Sequence, residues 1–204
     1  GGACAWIVDL RENTGGSVLP MVGGLRPFLG EGSLLTSEYG DGTYKTWTYE
    51  QMVEEAVSRY GFEDPRPAKY MLRDPGAPVA VLTGPLTSSS GEAVALAFRG
   101  RAGTRSFGYA TQGLSTWNEA FELPDGAMLI LTVAVTADRA GYDHEGGPIP
   151  PDEAVEDTSG YRGGYRPAAD GPVIQRALSW LLAQDACQEV QSDMQSAPGM
   201  GNHP

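Results

Sequence analysis

The run from Pro78 to Phe98, Pro-Val-Ala-Val-Leu-Thr-Gly-Pro-Leu-Thr-Ser-Ser-Ser-Gly-Glu-Ala-Val-Ala-Leu-Ala-Phe, constrains the fold more than any other stretch. Val79 to Thr83 is apolar, β-branched and bounded by prolines, the pattern of a strand covered on both faces in an α/β sheet. Glu92 to Phe98 is alanine-rich, with Val94, Leu96 and Phe98, so the chain has become helical there. The turn between them holds Thr87, Ser88, Ser89 and Ser90. A hydroxyl at a strand-to-helix turn lies beside the free N–H groups of the first helical turn, which together carry about half a positive charge. Such donors can stabilise an oxyanion. An ordinary N-cap would explain one of these serines; three in succession before Gly-Glu exceed what a cap needs. The stretch alone leaves cap and nucleophile both open.

At 204 residues and 41% hydrophobic, the chain is long enough for one domain with a real core. Its 28 glycines and 15 prolines predict many turns and ordered loops. A net charge of −12 repels phosphate backbones and anionic membrane surfaces, so nucleic acid is not an expected partner. No apolar run approaches the ~20 residues of a membrane helix, and the chain is expected to be soluble. It opens Gly1-Gly-Ala-Cys-Ala-Trp-Ile-Val-Asp9 with no initiator methionine, entering an apolar strand at once. That reads as a trimmed or processed piece, with any signal peptide or anchor upstream. For Cys4 and Cys187, two buried free thiols are the favoured reading and a disulfide the alternative. They do not settle the compartment.

A second strand-turn-helix unit precedes the first: Cys4 to Asp9, then Asp9-Leu-Arg-Glu-Asn-Thr-Gly-Gly16, then a helix-compatible stretch with Val18, Leu19, Val22, Leu25, Phe28 and Leu29 apolar. Gly15 and Gly16 suit a tight turn, or a turn that directs an N–H toward a ligand. Residues 32–73, punctuated by Gly40-Asp-Gly42 and by Pro65 and Pro67, read as an inserted cap or lid. It contains a strand-like Tyr44 to Tyr49 and a short helix from Tyr49 to Tyr60 capped by Thr48. Its aromatics Tyr39, Tyr44, Trp47 and Tyr49 are expected at the surface. Arg105 to Tyr109 is a short strand, Ala110 to Asn118 a turn-rich loop, and Asn118 to Thr136 a hairpin closed by Pro124-Asp-Gly126. Loops occupy Asp138 to Asp152 and Tyr161 to Ala169. Asp170 is expected to cap a last helix with Pro172 in its first turn and Val173, Ile174, Ala177, Leu178, Leu181 and Leu182 on one face. Residues 188–204 read as a flexible polar tail.

Six of these motifs, in this order, resemble the tail-specific, or C-terminal-processing, serine peptidases: Asp9-Leu-Arg-x-Asn-x-Gly-Gly16, Thr87-Ser-Ser-Ser-Gly-Glu92, Gly108-x-x-Thr-x-Gly113, Leu123-Pro-Asp-Gly126, Leu131-Thr132 and Pro151-Asp152. The resemblance spans most of the chain and implies an α/β fold, a spiral of ββα units like that of crotonase and the Clp peptidase. It implies Ser89 as nucleophile and Glu92 as a structural acid. The oxyanion hole would be built from the backbone N–H groups of Ser90 and of Gly15 or Gly16.

One position departs from the pattern. Where the bacterial processing enzymes place a lysine base after the Gly-x-x-Thr-x-Gly loop, this chain has Leu114, and its only lysines are Lys45 and Lys69. Gly113-Leu-Ser-Thr-Trp-Asn118 instead resembles a lysine-free branch that includes the nisin resistance proteins, whose base is a histidine upstream of the Asp-Leu-Arg strand. Neither His144, read as a solvated loop residue, nor His203 matches it. The base is therefore expected upstream of Gly1, and the 204 residues alone are expected to be nearly inert.

The resemblance thus implies a serine endopeptidase core cleaving peptides near their C-terminus by acyl-enzyme chemistry, with substrate bound as an added strand between core and cap. No metal or organic cofactor is implied, since there is no His/Cys ligand cluster. An extracytoplasmic location follows from the resemblance alone. The alternative is a non-catalytic peptide-binding module on the same scaffold, which the missing base favours and the intact nucleophile turn disfavours.

Overall fold

A computed structural model of the chain describes residues 3–61, 72, 74–157 and 167–196. Lys69, Pro65, Pro67, residues 161–166 and His203 lie outside the described residues.

The continuous apolar run is strand β4 (Val79–Thr83), and every one of its residues is buried. It sits inside a parallel sheet of order β1-β4-β5-β8, flanked by β1 (Trp6–Asp9) and β5 (Thr104–Gly108), with β8 (Glu153–Ala154) at the far edge. The two-residue alternation of a strand sorts its side chains. Val79 and Val81 join the core under α1 (Val18–Leu29) and α3 (Ser90–Phe98), with Val22, Val94 and Leu96. Ala80 and Leu82 face α4 (Pro172–Leu182) and meet Phe107, Val173, Ala177 and Leu181. Both faces are thus covered, which is why β4 shows no polar alternation. The α/β class read from the sequence is the one the chain adopts.

A second, antiparallel sheet has the order β3-β2-β7-β6. The hairpin around Pro124-Asp-Gly126 forms as expected, from β6 (Thr116–Glu122) and β7 (Met128–Ala137). Its outer half extends beyond the core: Met128, Leu129, Ile130 and Leu131 are all exposed, Ile130 at 67%.

Several expectations need correction. Residues 32–73 do not stand apart as a cap, as far as they are described. They supply β2 (Leu35–Tyr39) and β3 (Tyr44–Trp47) to the second sheet, where Thr36 to Tyr39 pair with Ala137 to Ala134. The segment also supplies α2 (Tyr49–Tyr60), whose Met52, Val53 and Ala56 enter the same core cluster as α1 and α3. Trp47 and Tyr49 accordingly are buried at 2% and 4% exposure, while Tyr44 alone of the four aromatics is fully at the surface. Thr48 does cap α2, in a reciprocal capping box with Gln51. At α4 the N-cap is Gly171 rather than Asp170, and Pro172 occupies the first turn. Leu178 and Leu182 lie on its exposed side.

The cysteines are paired, not free: Cys4 and Cys187 form a disulfide across 183 residues. The polar tail begins as helix, α5 (Asp185–Ser196), which the disulfide ties to the start of β1. Residues 197–204 lie outside the described residues.

Candidate active site

Ser89 stands at the junction of β4 and α3 with φ 51° and ψ −119°, in a backbone region that costs an L-residue roughly 1–3 kcal/mol. Neighbouring bonds hold it there. The Thr87 hydroxyl donates to the Leu10 carbonyl (2.7 Å) and accepts from the Gly84 N–H (2.9 Å). The Ser88 N–H donates to the Asn13 carbonyl (3.0 Å), and the Ser89 N–H to Glu92 Oε2 (2.8 Å). Ser89 is the N-cap of α3, in a capping box with Glu92, and its carbonyl receives the Glu92 and Ala93 N–H groups.

Glu92 is wholly buried and works as a hub. Besides Ser89, its carboxylate accepts from the Thr111 hydroxyl (2.5 Å), the Gly113 N–H (2.8 Å) and the Leu114 N–H (2.7 Å). The first turn of a helix is where a carboxylate is favoured. One side chain thus fixes both the serine turn and the 111–114 loop. The threonine and the glycine of that loop supply the hydroxyl and one of the N–H donors.

The Asn13-Thr-Gly-Gly16 turn is brought against the serine turn. A buried Arg11 fixes its entry, bonding Asp9 (2.7 Å) and the Ala168 carbonyl (3.1 Å). Gly15 has φ 101°, and a Cβ there would lie 2.9 Å from Ser89 Cβ, so only glycine permits this approach. A Cβ on Gly91 would likewise meet the Asn13 carbonyl at 2.8 Å. The Gly15 N–H donates to Asn13 Oδ1 (3.0 Å), and the Ser90 hydroxyl to the Gly16 carbonyl (2.7 Å). Among the described residues, the N–H groups of Gly16 and Ser90 have no acceptor, and both residues line the cleft that Ser89 faces. Of the two glycines expected at an oxyanion hole, Gly16 is the one with a free donor, and Gly15 serves close packing.

The cleft measures about 360 Å³. Its far side comes from the segment expected to be a cap: Trp47, Met52, Glu55 and Ala56, facing Trp117 and Ala93. These residues were missed as site residues. The common face of Met52 and Ala56 after the Thr48 cap was visible in the sequence, but not what it faced. No histidine or lysine lines the cleft among the described residues. His144 lies in a single 3-10 turn (His144–Gly146), its ring against Tyr142 and its Nε2 buried without a partner. Burial, and then the Arg99 charge, hold this imidazole below the ordinary histidine value. Lys45 is engaged by Glu55 (3.0 Å). The Leu114 side chain is about half exposed. Among the described residues no cluster of His, Cys, Asp and Glu could hold a metal ion.

A strained serine between a buried strand and a helix N-terminus, facing a cleft beside two unpaired N–H donors, fits the site class of the serine hydrolases. The model of peptidase family S41 matches residues 1–155, and the chain belongs to this family of serine peptidases. It is 36% identical over 146 residues to a nisin-resistance protein of Lactococcus lactis subsp. lactis, covering 72% of this chain and 44% of that one. It is 29% identical over 155 residues to a carboxyl-terminal-processing protease of Picosynechococcus sp., covering 76% of this chain and 32% of that one. The structure of a lipoprotein from Streptococcus agalactiae superposes with a TM-score of 0.67 at 33% identity, over 89% of this chain and 55% of that one. The chain spans less than half the length of the two sequence relatives.

Proposed function

We propose that this chain is the core of a serine endopeptidase that cuts peptides near their C-terminus through an acyl-enzyme at Ser89. The observation that carries the reading is Ser89 itself: held in a strained backbone conformation at the head of α3 and lining the cleft beside the Gly16 and Ser90 N–H groups. In the reaction, Ser89 Oγ attacks the scissile carbonyl as a base takes its proton. The carbonyl oxygen becomes an oxyanion between the two N–H donors, each typically worth about 3–4 kcal/mol of transition-state stabilisation. Collapse expels the amine, and water then releases the acyl group.

The base is a histidine upstream of Gly1, as the resemblance to the lysine-free branch implies. Two observations support this: no imidazole or amine lines the cleft among the described residues, and the matches cover 44% and 32% of the two relatives' lengths. Substrate lies as an added strand along the cleft, where β6 is the outermost strand of its sheet and begins at the cleft residues Thr116, Trp117 and Asn118. The Cys4–Cys187 disulfide supports an oxidising, extracytoplasmic location.

The test compares the 204 residues with a longer form carrying the upstream segment, assayed on a peptide library. The longer form is expected to cleave and its Ser89→Ala variant not to. The 204 residues alone should be slower by roughly 10⁴-fold or more, the usual cost of losing a base. Ser89-dependent cleavage by the 204 residues at the longer form's rate would overturn the placement of the base. No cleavage by either form would favour the peptide-binding module.

A further inference from the structure

We infer that the Ser89 cleft selects a large apolar side chain, aromatic or branched, on the residue whose carbonyl Ser89 attacks, and that Trp47, Trp117, Met52, Ala56 and Ala93 set this choice. The inference rests on the proposed peptidase site and deepens it.

The walls of the cleft beside Ser89 come from four separate elements. Trp47 ends β3, Met52 and Ala56 lie one helical turn apart on α2, Ala93 is in the first turn of α3, and Trp117 is in β6. The indoles of Trp47 and Trp117 stack with centroids 5.2 Å apart and planes 10° from parallel. Trp47 cannot swing away: its Nε1 donates to Ser37 Oγ (2.8 Å) inside the core, and Lys45 Nζ lies 3.7 Å from its ring centroid. The stack is therefore a fixed flat wall rather than an adaptable one. Opposite it, alanines at 56 and 93 leave open the space that larger side chains would fill. The volume of about 360 Å³ lies at the small end of ligand sites, suited to one bulky side chain and its backbone.

Charge argues in the same direction. The one ionised side chain lining the cleft among the described residues is Glu55, and Lys45 already pairs with it at 3.0 Å. A basic substrate side chain would find its counter-ion taken, and an acidic one would meet a carboxylate. The other polar lining groups are hydroxyls and Asn118, which neutralise no charge. An apolar group gains by leaving water and loses nothing.

The experiment is binding, so that it does not depend on turnover. Peptides identical except for a C-terminal Phe, Leu, Ala, Lys or Asp mimic the acyl product. They are titrated calorimetrically into the full chain carrying Ser89→Ala. Phe and Leu peptides should bind at least about tenfold more tightly than the Ala peptide, the discrimination a hydrophobic pocket gives for a few methylenes. Lys and Asp peptides should bind no better than Ala. Ala56→Phe should abolish the Phe preference; if that variant fails to fold, the unmutated series still decides. Equal affinity across the series, or preference for Lys or Asp, overturns the inference. A preserved Phe preference in a protein whose longer form never cleaves would leave the pocket standing and remove the peptidase reading instead.

Discussion

Replacing Glu92 by glutamine tests how the site is held together, because it changes one atom's hydrogen-bonding sense and almost nothing in volume. The carboxylate receives two pairs of donors: the Ser89 and Leu114 N–H groups at Oε2, and the Thr111 hydroxyl and Gly113 N–H at Oε1. A glutamine must turn its NH₂ toward one pair. Turned toward Oε2's partners, it would oppose two backbone N–H donors, neither of which can adapt. Turned toward Oε1's partners, it meets Thr111, whose hydroxyl can rotate to accept, and Gly113, whose N–H cannot. The second orientation should therefore win, stranding one buried N–H at about 1–3 kcal/mol, reversing the Thr111 bond, and weakening the Ser89 and Leu114 bonds from a charged to a neutral acceptor. The sum is roughly 2–4 kcal/mol, a large share of a stability that is typically ~5–15 kcal/mol. Urea denaturation should show a midpoint about 1 M lower. Amide exchange should localise the damage, with Gly113 losing protection and Ser89 keeping it. A midpoint unchanged within 0.2 M, or exchange opening at Ser89 first, would refute this account of the hub.

Two further outcomes are expected. His144 titrates below its ordinary value of about 6.5 in the folded chain, so the unfolded chain binds the proton first as pH falls. Stability that is full above pH 6.5 should decline below it. Burial and Arg99 lower this titration while Asp138 and Asp143 oppose them; His144→Gln should flatten the decline between pH 7 and pH 5 in urea midpoints, and an unaltered slope would count against it. Removing the disulfide by Cys4→Ser with Cys187→Ser frees a 183-residue loop, for which chain entropy gives about 5 kcal/mol; an unshifted urea midpoint in the double variant would exclude that contribution.

The sequence carried the serine unit well because its information is local. A continuous apolar run, a hydroxyl turn and an alanine-rich helix are contiguous, and nothing distant is needed to read them. The 116–137 hairpin was legible for the same reason, through its turn. Within residues 32–73, β3 and the Thr48-capped α2 were legible, but the place of β2 was not, because it is Leu35-Thr-Ser-Glu-Tyr39, with no alternation, and its partner β7 lies nearly a hundred residues on. Trp47 looked like a surface aromatic because Trp117, which covers it, belongs to another element. The disulfide and the ordering of residues 185–196 depend on where β1 and α5 meet, which no spacing encodes. At the site, Ser89, Glu92 and the Asn13–Gly16 turn were named from motifs, but Gly15 and Gly16 could not be told apart. Only the Asn13 side chain, bonded to one of the two N–H groups, distinguishes them.

The way the two sheets share the chain bears on how the protein is made. β1 at residues 6–9 waits for β4 at 79–83, while β2 at 35–39 waits for β7, whose pairing residues are 134–137. These two spans overlap without nesting, so neither sheet can be completed inside a shorter piece of the other. A nascent chain can pair β2 with β3 as a hairpin, and β1 with β4 once residue 83 is out, but the other edge of β2 stays open until residue 137 has left the ribosome. Pairings of such long range are intrinsically slow to form. During synthesis that open edge of β2 has no native partner, which is the condition under which a chaperone, rather than the sequence itself, keeps a chain from aggregating.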